Sequence, residues 1–271
     1  MAEFPSQGEI ARPPPRARLA RMHRFFLPAD ALLSESPTLG GDEAHHCLNV
    51  LRHVEGDKIV VFDGRGNEAT AQIDSAGKRE AALRILHRGK SAPVACRLTL
   101  AQAVPKGKNM DLIVEKAVEL GAAAIVPLLS ERTVVQLDAA EIAAKREKWE
   151  TVAREACKQC GQNWLPAIAS PVAPKSFFEQ HPPKGLMLIA SLQSDSKPIK
   201  EVLAAYEAQH GSLPADVTIL VGPEGDFTPA EISLAKSHGC QPVTLGPIIL
   251  RTETAAIYCL SVLGHELFSA R

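Results

Sequence analysis

The 271-residue chain has 30 Lys and Arg against 31 Asp and Glu, a formal net charge of −1, with 45% hydrophobic and 23% charged residues. That is an ordinary globular composition with room for two domains. It excludes a global electrostatic attraction to nucleic acid, though not a local basic patch balanced elsewhere. No apolar run reaches membrane-spanning length.

In chain order, residues 1–21 come first. "GEIARPPPRARLAR" combines a triple proline with four arginines and no apolar periodicity, which reads as a disordered tail. Glu3, Glu9 and the scarcity of Ser speak against a transit peptide, and Met22, followed by "HRFFLP", looks like a natural beginning. From 22 to 90 the pattern is short strands and turns. Ile59 to Phe62, the turn at Asp63-Gly64 and Gly66-Asn67, and the alternation Ala69, Ala71, Ile73 predict a hairpin. "AALRILH" predicts another strand, and "DEAHHCLNVLRH" a short helix with Ala44, Cys47, Leu48 and Leu51 on one face. Phe25 and Phe26 are expected in the core. Many short strands with one helix point to a small β-barrel.

After Pro93 strands and helices alternate. "RLTLAQAV", "AAIVPLL", "GLMLIA", "VTILVG" and "QPVTLG" read as strands. "NMDLIVEKAVELG" carries an apolar stripe of Met110, Ile113, Val114, Ala117 and Val118 and stops at Gly121. A long helix is expected over 138–160, capped by Asp138 and ended by Gly161. Others are expected from Pro229 to His238 and from about 253 to 268. This alternation predicts an α/β domain on a mainly parallel sheet over 93–271.

Two loops stand out. "GPEGDFTPAEI" follows the strand Val217 to Val221 and opens a helix through Thr228, Pro229 and Glu231, an arrangement that usually cradles phosphate. Here it lacks Lys and carries Glu224 and Asp226, which would repel one. The strand before "LGPIILRTETAA" also ends in Gly-Pro. Ligands bind beyond the carboxyl ends of parallel strands. The pair would wall an apolar pocket, lined by Leu245, Ile248, Ile249 and Leu250. It suits an uncharged base and a cationic group near Glu224; two ordinary turns are the alternative. A side chain at Gly222 would fill the space the base needs.

With "HRFF", "HHCLNVLRHVEGDKIVVFDGRG", "KGKNMDLIVEKAVELG", "PLLSERTVV" and "REACKQCGQNWLP" in the same order, these motifs resemble the RsmE family. Its members are SPOUT-class methyltransferases acting on N3 of a uridine in bacterial 16S rRNA. The resemblance runs from Met22 to the C-terminus. It implies a PUA-like β-barrel followed by a trefoil-knotted α/β domain, a homodimer, S-adenosylmethionine as cofactor, and small-subunit rRNA or the assembled subunit as partner. Carried onto this chain, the cofactor site comprises Leu220, Gly222, Pro223, Glu224, Gly225, Leu245, Gly246, Leu250, Thr252, Thr254 and Ala255. Arg251 is expected nearest the chemistry, and Glu253 either takes the N3 proton or caps the final helix.

RNA contacts are expected at Arg24, Arg52, Lys106, Lys108, Lys116, Arg132 and Arg154, though each also reads as a solvated surface charge. The six cysteines, at 47, 96, 157, 160, 240 and 259, suit reduced thiols of a cytoplasmic protein. His45, His46, Cys47 and His53, with Cys157 and Cys160, are read as structural, holding no metal. Asp226 stands where many relatives have Gly, and Ile248 where many are polar. The rival readings are a ribose 2′-O methyltransferase of the same class and a non-catalytic ribosome assembly factor.

Overall fold

The computed structural model describes residues 22–107, 109–133, 137–180 and 184–268. The expectations for residues 1–21 and for Lys108 lie outside the described residues.

The first unit is built from β1 (Arg24–Phe26), α1 (Ala29–Leu33), β2 (Thr38–Gly40), α2 (Gly41–His45), β3 (Lys58–Phe62), β4 (Asn67–Ala76) and β5 (Glu80–Lys90). The strands form one sheet in the order β1-β3-β4-β5-β2. β3, β4 and β5 pair antiparallel in succession, while β1 runs parallel to β3. The alternation in β4 does what its period dictates: Ala69, Ala71 and Ile73 are buried, together with Phe25, Leu39, Ile59 and Val61. Burial of the Phe, Leu, Ile and Val side chains among these contributes about 1.5–3 kcal/mol each. The helix expected in "DEAHHCLNVLRH" is divided. α2 passes into a π-helical turn over His46–Val50, and Arg52 behind it takes φ 58°. Ala44 of α2 and Cys47 of this wider turn are both buried.

The second unit contains β6 (Arg97–Ala103), α3 (Asn109–Glu119), β7 (Ala124–Leu128), α4 (Ala139–Cys160), β8 (Ala167–Ile168), α5 (Pro174–Gln180), β9 (Leu186–Ala190), β10 (Lys197–Pro198), α6 (Ile199–His210), β11 (Asp216–Val221), α7 (Pro229–Ser237), β12 (Gln241–Thr244) and α8 (Thr252–Phe268). Its sheet has the order β10-β12-β9-β11-β6-β7-β8, with every pairing parallel. Even-numbered Leu98 and Leu100 of β6 and odd-numbered Val217, Ile219 and Val221 of β11 face α3, α4, α6 and α8. Ala101, Ala103 and Leu220 face α5 and α7. All five stripe residues of α3 are buried. α4 begins and ends at the expected places: Asp138 and Glu141 form a reciprocal capping box, and Gly161 takes the left-handed φ of 84° that favours glycine.

The two units are tied along β1 and α4. Arg24 pairs with Glu68 at 3.2 Å, hydrogen-bonds Asn163 and lies over the Phe62 ring. Phe26, expected beside Phe25 in the first core, instead turns toward α4, where Arg154 stacks on its ring at 4.8 Å. Lys158, only 9% exposed, bonds Glu43 and Glu155 at 2.6 Å each. β9, β11 and β12 all end at the same edge of the sheet, at Ala190, Val221 and Thr244. Their carboxyl ends position the site.

Candidate cofactor site

A cavity of about 270 Å³ opens at those three strand ends. Ala190, Ser191 and Leu192 at the end of β9, Val221 to Asp226 at the end of β11, and Leu245, Gly246 and Ile248 to Leu250 after β12 line it, with Thr252 and Ala255 from α8. Among the described residues, no Lys or Arg lines it. The walls are mostly backbone and aliphatic carbon, an environment that accepts a flat uncharged ring and discriminates against phosphate.

Local chemistry holds the loops in place. Thr228 and Glu231 form a capping box at the start of α7. Glu231, 6% exposed, uses one carboxylate oxygen for Thr228 N (2.8 Å) and the other for Glu131 N (2.9 Å) in the loop after β7. Arg132 of that loop donates to the carbonyl of Gly225. Glu224 accepts from Lys106 N at 3.1 Å, in the loop after β6. At least one of its oxygens thus ties two loops together. Asp226 sits at φ 61°, where glycine is favoured and Asp is tolerated, and its Oδ1 accepts from Phe227 N at 2.7 Å. Gly222 is also tight. A Cβ there would approach Asp226 Oδ1 and Phe227 N to 3.2 Å, so a side chain would strain the loop itself. Gly246, at φ 111°, has no protein atom within 4 Å of its Cβ position.

Of the expected cofactor residues, Gly222, Pro223, Glu224, Gly225, Leu245, Gly246, Leu250, Thr252 and Ala255 come together around the cavity. Leu220 does not. It precedes the last residue of β11 and so points to the opposite face, packed with Phe227, Ile232 and Phe177, while Val221 takes the cavity side. Thr254 is exposed and outside the wall, as expected for a residue two on from Thr252 around a helix. Arg251 is exposed immediately before α8 and Glu253 is half-buried in its first turn; both flank the cavity without lining it. The segment after β9, Ala190 to Leu192, was missed. The rule that ligands sit beyond parallel strand ends could have found it, had the sheet order been known.

The basic residues divide into two groups. Lys106 and Arg132 are exposed and sit beside the Glu224–Gly225 loop. Arg24 and Arg154 are half-buried between the units, and Lys116 is held above its usual pKa by hydrogen bonds to Glu115 and Glu119. Arg52 is exposed in the first unit. Among the described residues, no three His, Cys, Asp or Glu side chains come together to hold a metal ion. His53 instead bonds Asp57 at 2.9 Å and His23 at 2.8 Å. All six cysteines are free. Burial pushes the thiols of Cys157, Cys240 and Cys259 up to about 12. Among the described residues, no helix is long and apolar enough to cross a membrane.

Residues 92–264 match an RNA methyltransferase domain and residues 39–86 an RNA methyltransferase PUA domain. Parallel sheet, strand-end cavity and preceding PUA domain together define the class: an RNA methyltransferase. Similarity to individual proteins narrows it. Ribosomal RNA small subunit methyltransferase E of Bacillus subtilis is 31% identical over 251 residues, covering 90% of this chain and 97% of its own length. The Synechocystis protein of the same name is 34% identical, covering 91% and 78%. The crystal structure of ribosomal RNA small subunit methyltransferase E from Neisseria gonorrhoeae, bound to S-adenosyl methionine, is 32% identical, with a TM-score of 0.79 over 90% of this chain and 98% of that one. The chain belongs to the ribosomal RNA small subunit methyltransferase E family.

Proposed function

We propose that the chain methylates N3 of a uridine in small-subunit (16S) rRNA, using S-adenosylmethionine. The observation that carries this reading is the cavity at the ends of β9, β11 and β12, which has mostly backbone and aliphatic walls, the carboxylates of Glu224 and Asp226, and no cation among the described residues. S-adenosylmethionine has no phosphate; its adenine fits such walls, and bound there it would supply an activated methyl group. Gly222, Pro223, Glu224, Gly225, Leu245, Gly246, Leu250, Thr252 and Ala255 would hold it.

The substrate side requires more of the protein. Neutral uracil carries a proton at N3 and is a poor nucleophile there. Arg251, exposed beside the cavity, would favour negative charge building on the ring carbonyls. Glu253 either accepts the N3 proton or stabilises the start of α8 through its charge. Lys106 and Arg132 at the rim position RNA phosphate, and Arg52 contacts RNA from the first unit. Residues 22–90 form the PUA-like barrel, and residues 93–271 are threaded as a trefoil knot. The protein acts in the cytoplasm as a homodimer. The aliphatic side chains of Leu192, Ile248 and Ile249 at the cavity rim, 66–77% exposed, support a covered surface there.

The test is methyl transfer from labelled S-adenosylmethionine to small subunits from a strain lacking the gene, with the modified nucleoside identified by mass spectrometry. N3-methyluridine is expected. A ribose-methylated product would move the specificity to the 2′ oxygen, and failure to bind S-adenosylmethionine would leave an assembly factor.

A further inference from the structure

Gln102 is a buried polar residue near the cavity that the proposed chemistry does not use. It is 0% exposed, near the carboxyl end of β6, and it pairs in register with Val221, the last residue of β11 before the Gly222 loop. Its Nε2 donates to Thr252 Oγ1 (3.1 Å) and to Ala103 O (2.8 Å). Thr252 Oγ1 in turn donates its single proton to Gly222 O at 2.6 Å. That donation fixes the amide: Thr252 can only accept from Gln102, so nitrogen faces it and Oε1 points elsewhere. Oε1 is buried and has no hydrogen-bond partner among the described residues.

A buried acceptor without a partner costs stability. An aliphatic residue in β6 would serve the core without that cost, so the amide's use lies in what it donates to. We propose that Gln102 is a positioning residue for methyl transfer: through Thr252 it fixes the start of α8, and with it Arg251, against the Gly222 loop. Arg251 and Thr252 are adjacent in the chain, so a shift of the Thr252 backbone moves the guanidinium relative to the cavity. The inference rests on the proposed reaction, in which Arg251 acts on the uracil ring. Displacement of a reacting or charge-stabilising group by about 1 Å can cost on the order of 100-fold in rate.

Gln102→Met tests this, since it keeps chain length while removing both the donors and the orphan oxygen. The variant should melt within about 3 °C of wild type, because lost bonds and relieved desolvation oppose each other. It should bind S-adenosylmethionine within about three-fold of wild type and lose about 10- to 100-fold in kcat on small subunits. Thr252→Val should lose turnover at least as severely, and the double variant no more than Thr252→Val alone, because the two side chains act as one unit. Wild-type kcat in Gln102→Met, or multiplicative losses in the double variant, would overturn the proposal. So would a kcat loss accompanied by equal losses of melting temperature and cofactor binding, which would make Gln102 a core residue only. Should Gln102→Met fail to fold, Thr252→Val carries the test, and undiminished turnover there refutes it. Turnover by wild type without an effect of Gln102→Met removes the positioning role alone; absence of turnover by wild type removes the proposed reaction as well.

Discussion

Glu231 is the most heavily used carboxylate beside the cavity, and Glu231→Ala measures what it holds together. One oxygen accepts from Thr228 N at 2.8 Å and closes the cap of α7; the other accepts from Glu131 N at 2.9 Å and anchors the loop after β7. A hydrogen bond to a charged group contributes about 1.5–3 kcal/mol when it can be lost to no substitute. Here Glu131 is exposed and Thr228 half-buried, so water replaces part of each bond. The net loss should be about 2–3 kcal/mol, including the favourable charge at the helix N-terminus. At about 2–4 °C per kcal/mol for a chain of this size, the melting temperature should fall by roughly 4–12 °C, read by circular dichroism. Glu231→Gln is the sharper control. It keeps the volume but turns one accepting oxygen into a donor facing an N–H, so it should lose at least half as much. A shift below about 1 °C in both variants would show that the carboxylate does not join α7 to the β7 loop in solution.

Arg251→Ala should retain S-adenosylmethionine affinity within about three-fold while kcat falls by at least about 100-fold, the scale for losing a charge-stabilising group. Calorimetry and single-turnover methylation separate the two, and undiminished turnover would remove Arg251 from the chemistry. Lys158→Met leaves Glu43, 17% exposed at the junction of the two units, without its cation. It should destabilise by about 2–4 kcal/mol in urea unfolding, and an unchanged midpoint would mean that the pair is already solvated. Alkylation at pH 8 should label Cys160 first in the native protein. Cys47 and Cys96 are pushed up to about 11, and Cys157, Cys240 and Cys259 to about 12, so few thiolates form; peptide mapping with another cysteine leading would contradict this. Asp57 is held below its ordinary value of 3.8 by hydrogen bonds from Val54 N and His53. A depressed carboxylate contributes stability above its unfolded pKa and loses it as pH falls through the folded value. Asp57→Asn should therefore flatten the acid limb of the stability profile below about pH 4, and an unchanged limb would refute the assignment.

Local chemistry made much of this protein legible in the sequence. Asp138 and Gly161 bound α4 because capping and left-handed termination are properties of single residues and their near neighbours. The α3 stripe and the β4 alternation identified buried faces for the same reason, since period alone decides which side chains share a face. The two Gly-Pro loops marked the cavity because both follow strands whose ends needed turning. Other features depended on neighbours distant in sequence. Strand order brought the segment after β9 beside both loops, and nothing near Ser191 announces that. The side of the sheet taken by Leu220 was set by the register of β11 against β6 and β9, which no single strand encodes. Arg24 and Arg154 read as free surface cations until the first unit packed on α4 and half-buried them. Residue type and spacing are covalent and local, so the chain alone determined caps, turns and periodicities. Which groups meet across 30 residues, as Thr252 meets Gly222, or across 150, as Gln102 meets Thr252, was decided only when the sheet assembled and buried polar groups had to find partners.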